Sequence, residues 1–381
     1  KYRQLGKTGL RVSEIGLGGE WLERHTMAEV QAVIDRCDAY GINLLDCWMS
    51  NPKVRGNIGA AIEDKRGRWI VQGHIGSTWQ NGQYVRTREI KAVKAAFEDL
   101  LAQFRTDYID LGMIHFVDSV KEFEEILQGE FMRYVRALKA AGTIRYIGLS
   151  SHNPAVAQMA ALCGEIDVLL FSLNPAFDML PANEKMDVMF GEEAFQDPSL
   201  GGISAERDNL YRTCAREGIA ITVMKGYAGG RLFSAEASPF SVALTPVQCL
   251  HYALTRPAVA SVMVGFDTPE HVDAAVAYET ATESQKDYAS VLATAPKHAY
   301  AGQCTYCGHC APCPSKIDIA MVNKLYDLAV MQREVPASIR AHYQCLSANA
   351  SHCVSCGACE KRCPFGVAIV ERMKNTAKLF G

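Results

Sequence analysis

Eight of the fourteen cysteines stand in two short runs, Cys304, Cys307, Cys310 and Cys313, then Cys353, Cys356, Cys359 and Cys363. Each run advances by C-x-x-C steps and closes on a Cys-Pro pair, Cys313-Pro314 and Cys363-Pro364. In a C-x2-C-x2-C-x3-C-P run, three thiolates hold one 4Fe-4S cluster and the fourth crosses to a second cluster. The spacing therefore predicts Cys304, Cys307, Cys310 and Cys363 on one cluster, and Cys353, Cys356, Cys359 and Cys313 on the other. Only Ala311 and Pro312 separate the last two cysteines of the first run, which shortens a loop without removing a ligand. Zinc also takes C-x-x-C pairs, four donors to a tetrahedron, yet it does not explain a third step and a fourth Cys-Pro in both runs. A disulfide framework belongs to oxidising compartments, and the N-terminal residues lack the charged-then-apolar pattern of a signal peptide. The expectation is a cytoplasmic protein from an anaerobic or microaerobic source. Cys345 falls outside the spacing and reads as a buried thiol.

These runs need a scaffold. A chain of 381 residues fits one large domain with a smaller companion. With 49% hydrophobic and 21% charged residues, the larger part can bury a sizeable core. A net charge of −3 offers no basic footprint for nucleic acid, and no apolar run is long enough to cross a membrane. Tyr2–Leu5 and Leu10–Val12 read as an opening hairpin around Gly6 and Gly9. Eight apolar runs follow, at Ile15–Gly18, Ile42–Leu45, Trp69–Val71, Ile109–Ile114, Ile144–Leu149, Val168–Phe171, Ile219–Met224 and Ser261–Val264. Amphipathic helices alternate with them, started by Thr26-x-x-Glu29, Asn153-Pro154, Thr245-Pro246 and Thr268-Pro269. Strand then helix, eight times over, predicts an α/β fold, a (β/α)8 TIM barrel over residues 1–285, with a doubly wound sheet as the alternative. A linker, 286–302, leads to a small α+β or helical ferredoxin-like iron-sulfur domain, 303–381. Within it Ile317–Gln332 and Ser338–Leu346 read as helices. Pro175–Ala205 is too long for an ordinary connection and reads as a lid, a substrate wall or a contact with the iron-sulfur domain.

Barrel enzymes carry reacting groups just past the C-terminal ends of their strands. Those positions hold Asp46 and Trp48, His74, His115, Ser150 and His152, Asn174, Lys225, and Gly265. Two histidines and an aspartate at one mouth form an acid-base set. The segments Gly41-Ile42-Asn43-Leu44-Leu45-Asp46, Tyr108-Ile109-Asp110-Leu111-Gly112-Met113-Ile114-His115 and Ile144-Arg145-Tyr146-Ile147-Gly148-Leu149-Ser150 resemble the aldo-keto reductase family. With its cysteine tail, and with Met224-Lys225-Gly226-Tyr227-Ala228-Gly229-Gly230-Arg231-Leu232, the chain is similar to the branch of that family carrying a C-terminal domain with two 4Fe-4S clusters.

The resemblance implies carbonyl reduction with NAD(P)H, a Tyr proton donor tuned by Lys and Asp, and a His that orients the substrate oxygen. Asp46 and His115 match their positions. Asn51 stands where the Tyr belongs and His74 where the Lys belongs, so Asn51 and Trp48 are expected to line substrate, and Asp46, His74 and His115 to carry the proton chemistry. An amide is no acid near neutral pH, whereas imidazole titrates there. Ser150, Asn174, Lys225, Gly229 and Gly265 are the candidates for holding a cofactor. Asp267 and Ala275 occupy the positions that hold the adenosine phosphate and adenine in the family. Asp267 would repel a 2′-phosphate, which favours NADH over NADPH and leaves open whether a dinucleotide binds. The sequence thus points to an oxidoreductase that binds a small molecule at the barrel mouth. Electrons would pass through two 4Fe-4S clusters, supplied by a ferredoxin or flavoprotein, in a reductive group removal, an elimination or an isomerisation. An NAD(P)H-dependent carbonyl reductase with His74 as the replacement acid is the first alternative, and an electron-transfer or docking subunit with an inactive barrel the second.

Overall fold

A computed structural model describes residues 1–185, 189, 191–298, 300, 302–331 and 334–381. Gln332 and part of the long insertion lie outside them. Tyr2–Gln4 (β1) and Arg11–Ser13 (β2) form the opening hairpin. The barrel strands are Ile15–Gly18 (β3), Leu44–Cys47 (β4), Ile70–Ile75 (β5), Ile109–Ile114 (β8), Ile144–Ser151 (β9), Val168–Ser172 (β10), Ala220–Met224 (β11) and Val259–Gly265 (β12). All neighbours are parallel and the sheet closes on itself, so the fold is the barrel and not the doubly wound sheet. The hairpin plugs the barrel interior: Leu5 and Val12 pack with Leu44, Leu111, Met113 and Val168 in a core of their own. The larger core lies between the strands and the outer helices and runs on into the C-terminal segment.

The helices start where their caps direct. Thr26 and Thr245 both form full capping boxes, with Glu29 and Gln248. Asn153 caps through its side chain, while Thr268 makes no cap bond. The helix Ile90–Gln103 buries Val93, Phe97 and Leu100, the face its periodicity indicates. A second hairpin, Ser77–Gln80 (β6) with Gln83–Arg86 (β7), stands beyond β5. Its turn is Asn81-Gly82, with φ of 51° and 76°, the pair of left-handed residues that matches the twist of the flanking strands.

Of the two readings of the C-terminal segment, α+β or helical, the described residues are helical. Among the described residues it has helices Ile319–Val330, Ala337–Gln344, Ala358–Arg362 and Ile369–Phe380, and no strand. The cysteine loops turn repeatedly through left-handed residues, Tyr306, Gly308, Lys316, Ser355, Gly357 and Gly366. Cys345 is exposed, not buried, because the helix it follows turns Tyr343 to the core instead. The insertion after β10 is the seat of the linker. His298 bonds the carbonyls of Leu200 and Phe195 at 2.8 and 3.0 Å, Gln303 brackets Ile203, and Tyr300 donates to the Pro175 carbonyl at 2.8 Å. Among the described residues no helix is long and apolar enough to cross a membrane.

Candidate functional sites at the barrel mouth and in the cysteine loops

Strand pleating decides which side chains meet at the mouth. Gln72 and His74 are two apart on β5 and so share a face. Gln72 lies opposite Asp46 of β4 in the ladder. Asp46 Oδ1 accepts from Gln72 Nε2 at 2.8 Å and contacts His74 Nε2 at 3.0 Å. Gln72 is fixed in turn by the Thr222 hydroxyl at 2.9 Å, from across the barrel. His74 Nδ1 then meets His115 Nδ1 at 2.8 Å. The result is one hydrogen-bonded line, Asp46–His74–His115, buried at its base and partly exposed only at His115. Gln72, which the sequence reading passed over, was signalled by its two-residue offset from His74.

Burial holds the His115 imidazole well below its ordinary pKa, and the neighbouring His74, Arg88 and Arg86 add to the shift. His115 is therefore neutral near pH 7. Trp48 stacks on its ring at 5.9 Å and 13°. On its other flank Trp48 meets Tyr84 of the second hairpin at 4.9 Å, and Tyr84 also packs on Trp79 at 4.8 Å. A buried second pair, His152 and Asp118, stands beside them at 3.0 Å. Burial raises the Asp118 pKa, but bonds from His152 outweigh it, and the net shift is downward.

The remaining predicted residues are tied locally. Asn51 caps the helix Pro52–Ile62 by accepting from Lys53 N at 3.0 Å, and its amide donates to Glu23 at 3.2 Å. Tyr84 donates to the same Glu23 oxygen. Ser150 Oγ accepts from Phe116 N at 2.7 Å. Asn174 donates to the Lys225 carbonyl at 2.9 Å and accepts from Ala176 N and Phe177 N. Gly229 has φ of 66° in an open turn, so its backbone and not crowding calls for glycine. At Gly265 crowding is the reason, since a Cβ there would meet Trp21 at 2.3 Å. Two residues further on, His25 Nε2 contacts Asp267 at 2.8 Å. The 19–25 segment thus covers the end of β12.

The two cysteine runs fold as repeats. Left-handed backbone falls two residues after the first cysteine of each run (Tyr306, Ser355), one after the second (Gly308, Gly357) and three after the last (Lys316, Gly366). Cys304, Cys307, Cys310 and Cys363 line one pocket, partly open to solvent, of about 310 Å³. Cys313, Cys353, Cys356 and Cys359 line another, of about 340 Å³. Both partitions exchange the fourth cysteine. Among the described residues, no three His, Cys, Asp or Glu side chains converge on a single metal ion. The first pocket is set against the barrel, where the Thr305 carbonyl accepts from Tyr288 at 3.0 Å and from buried Arg256.

A family model for the aldo/keto reductase family matches residues 14–243. The chain belongs to the aldo/keto reductase family. Over 276 residues it is 26% identical to the uncharacterized oxidoreductase YqkF of Bacillus subtilis strain 168, covering 70% of this chain and 86% of that one. It is 22% identical to the protein tas of Escherichia coli K12, over 71% of this chain and 91% of that one. Among solved structures it resembles the aldo-keto reductase AKR11C1 of Bacillus halodurans, with a TM-score of 0.58, 22% identity, and coverage of 75% and 94% of the two chains. The family places this chain among oxidoreductase enzymes, and its match ends sixty residues before the first cysteine of the runs.

Proposed function

We propose that this chain is an iron-sulfur oxidoreductase whose aldo-keto reductase barrel binds a small molecule at its mouth and exchanges protons with it through Asp46, His74 and His115. The observation that carries the reading is the division of the eight thiols into two pockets, each lined by three cysteines of one run and the last of the other. The donor set fits two 4Fe-4S clusters. Thiolates are their ligands, and a crossed fourth cysteine is their arrangement. When bound, the clusters supply and take up electrons one at a time.

The protein's own groups manage the protons. Asp46 and Gln72 fix the His74 ring. With His74 neutral and its Nε2–H on Asp46, the His74 Nδ1 accepts from His115, which leaves the His115 Nε2 lone pair as a base. With His74 protonated, its Nδ1–H donates to His115 Nδ1, and His115 then offers Nε2–H as an acid. The line presents either form at the mouth without moving a heavy atom. Asn51 cannot act as an acid, and as the cap of its helix it holds the chain past β4 in place. Substrates that lose a group by reduction, or that undergo elimination or isomerisation, suit proton exchange of this kind. An acidic protein donor such as a ferredoxin, or a flavoprotein, would supply the electrons.

The alternative is an NAD(P)H-dependent carbonyl reductase with His74 in place of the usual acid, and membership of the family favours it. Trp21 over Gly265 and His25 on Asp267 occupy the end of β12, which weighs against a dinucleotide phosphate there. The discriminating experiment is anaerobic addition of NADH, then NADPH, to the purified protein, with dithionite as control. Bleaching of the visible absorption by dithionite alone supports the proposal, whereas bleaching or tight binding by either nucleotide restores the carbonyl reductase.

A further inference from the structure

The repeat that relates the two cysteine runs extends into the helices that follow them. Ile319–Val330 begins six residues after Cys313 and Ile369–Phe380 six residues after Cys363. Asn323 and Met373 hold the same place, the fifth residue of each helix, and each lines the pocket of its own run. Both are fully buried. One pocket therefore receives an amide where its counterpart receives a thioether.

The amide is aimed. Asn323 Nδ2 donates to Cys304 Sγ at 3.4 Å. Its carbonyl accepts from Arg372 Nε at 3.2 Å, which fixes the nitrogen toward the sulfur. Arg372 is held by Asp327, which also accepts from Tyr306 at 2.8 Å and pairs with Arg212 of the barrel helix Ala205–Glu217 at 3.9 Å. In the second run the corresponding first cysteine, Cys353, has a bond from the Ser355 backbone at 3.4 Å, and the Met373 side chain has no N–H to offer.

We propose that Asn323 is a positioning residue that makes the two cysteine sets unequal, raising the reduction potential of a cluster held by Cys304, Cys307, Cys310 and Cys363 above that of its partner. A hydrogen bond to a ligand sulfur withdraws charge and stabilises the reduced, more negative state. The centre reduced first is then the one set against the barrel, through Thr305 and Arg256. The inference rests on the cluster reading above.

The test uses the full-length, anaerobically purified protein and the variants Asn323→Met, which gives the first pocket the residue of the second, and Asn323→Leu. Iron and acid-labile sulfide are counted first, and the two midpoint potentials are then followed by electron paramagnetic resonance during redox titration. The expected result is unchanged iron and sulfide in both variants and a fall of about tenfold in the equilibrium constant for reducing one centre, about 59 mV for one electron. The other centre should stay where it was. Clusters present with both potentials unmoved in both variants overturn this inference alone. A wild-type protein without sulfide overturns the cluster reading, and the inference with it.

Discussion

At the barrel mouth the reactive side chains hold one another, with Asp46, Gln72 and His74 on strands and His115 just past β8, linked at 2.8 to 3.0 Å. In the C-terminal segment seven thiols face two pockets from irregular loops and Cys359 does so from the short helix Ala358–Arg362, with six left-handed residues shaping the loops. One site is organised by its own hydrogen bonds and the other by backbone conformation around the group it would hold. Damage to the two should therefore separate. Mouth variants should alter turnover and spare the fold, and cysteine variants should alter both.

The largest effect belongs to the pockets. Cys307→Ala and Cys356→Ala should each cut iron and sulfide by about half and loosen the C-terminal segment to proteolysis, while Cys345→Ala changes neither. Equal iron loss from Cys345→Ala would break the pairing. Next come His74→Phe and His115→Phe, expected to lower kcat by ~10²- to 10⁴-fold on any substrate the wild type turns over, with iron content unchanged. Full turnover in both would leave the mouth without a catalytic role and favour a docking platform. A smaller effect is pH-dependent. The folded His115 pKa lies below the unfolded value near ~6.5, so the unfolded chain takes up the proton first. Its stabilisation is full above about pH 6.5 and is lost as pH falls toward the folded value. Denaturant unfolding of His115→Gln should accordingly show a shallower acid slope than the wild type. The smallest is Asn51→Ala, which removes a helix cap and should cost ~1 kcal/mol in the same assay, without the drop in kcat that a proton donor would show.

Much of the barrel was legible because its signals are local. Alternating apolar runs and capped helices fall where Thr26, Asn153 and Thr245 start them, and eight strands with eight returns leave few other closures. The second hairpin went unread despite its Asn81-Gly82 turn, and Tyr84 reaches Trp48 only through the tertiary fold. Asp46, His74 and His115 could be placed at neighbouring strand ends, but their joining into one hydrogen-bonded line depends on side-chain orientations that spacing does not encode. Asn51 was legible as a lost acid. Its role as a cap went unread, although Asn51-Pro52 is the same pair as Asn153-Pro154. The cysteine sets were legible from spacing alone. Asn323 was not, because its meaning comes from a repeat offset across two helices and from Arg372.

The central claim is that the eight thiols hold two four-iron clusters. Iron and acid-labile sulfide analysis of anaerobically purified protein, with paramagnetic resonance of the dithionite-reduced sample, tests it most directly. The account predicts equal iron and sulfide sufficient for two 4Fe-4S clusters and the signals of two interacting reduced centres. Stoichiometric zinc without sulfide, or protein that takes up neither metal on reconstitution, would contradict it.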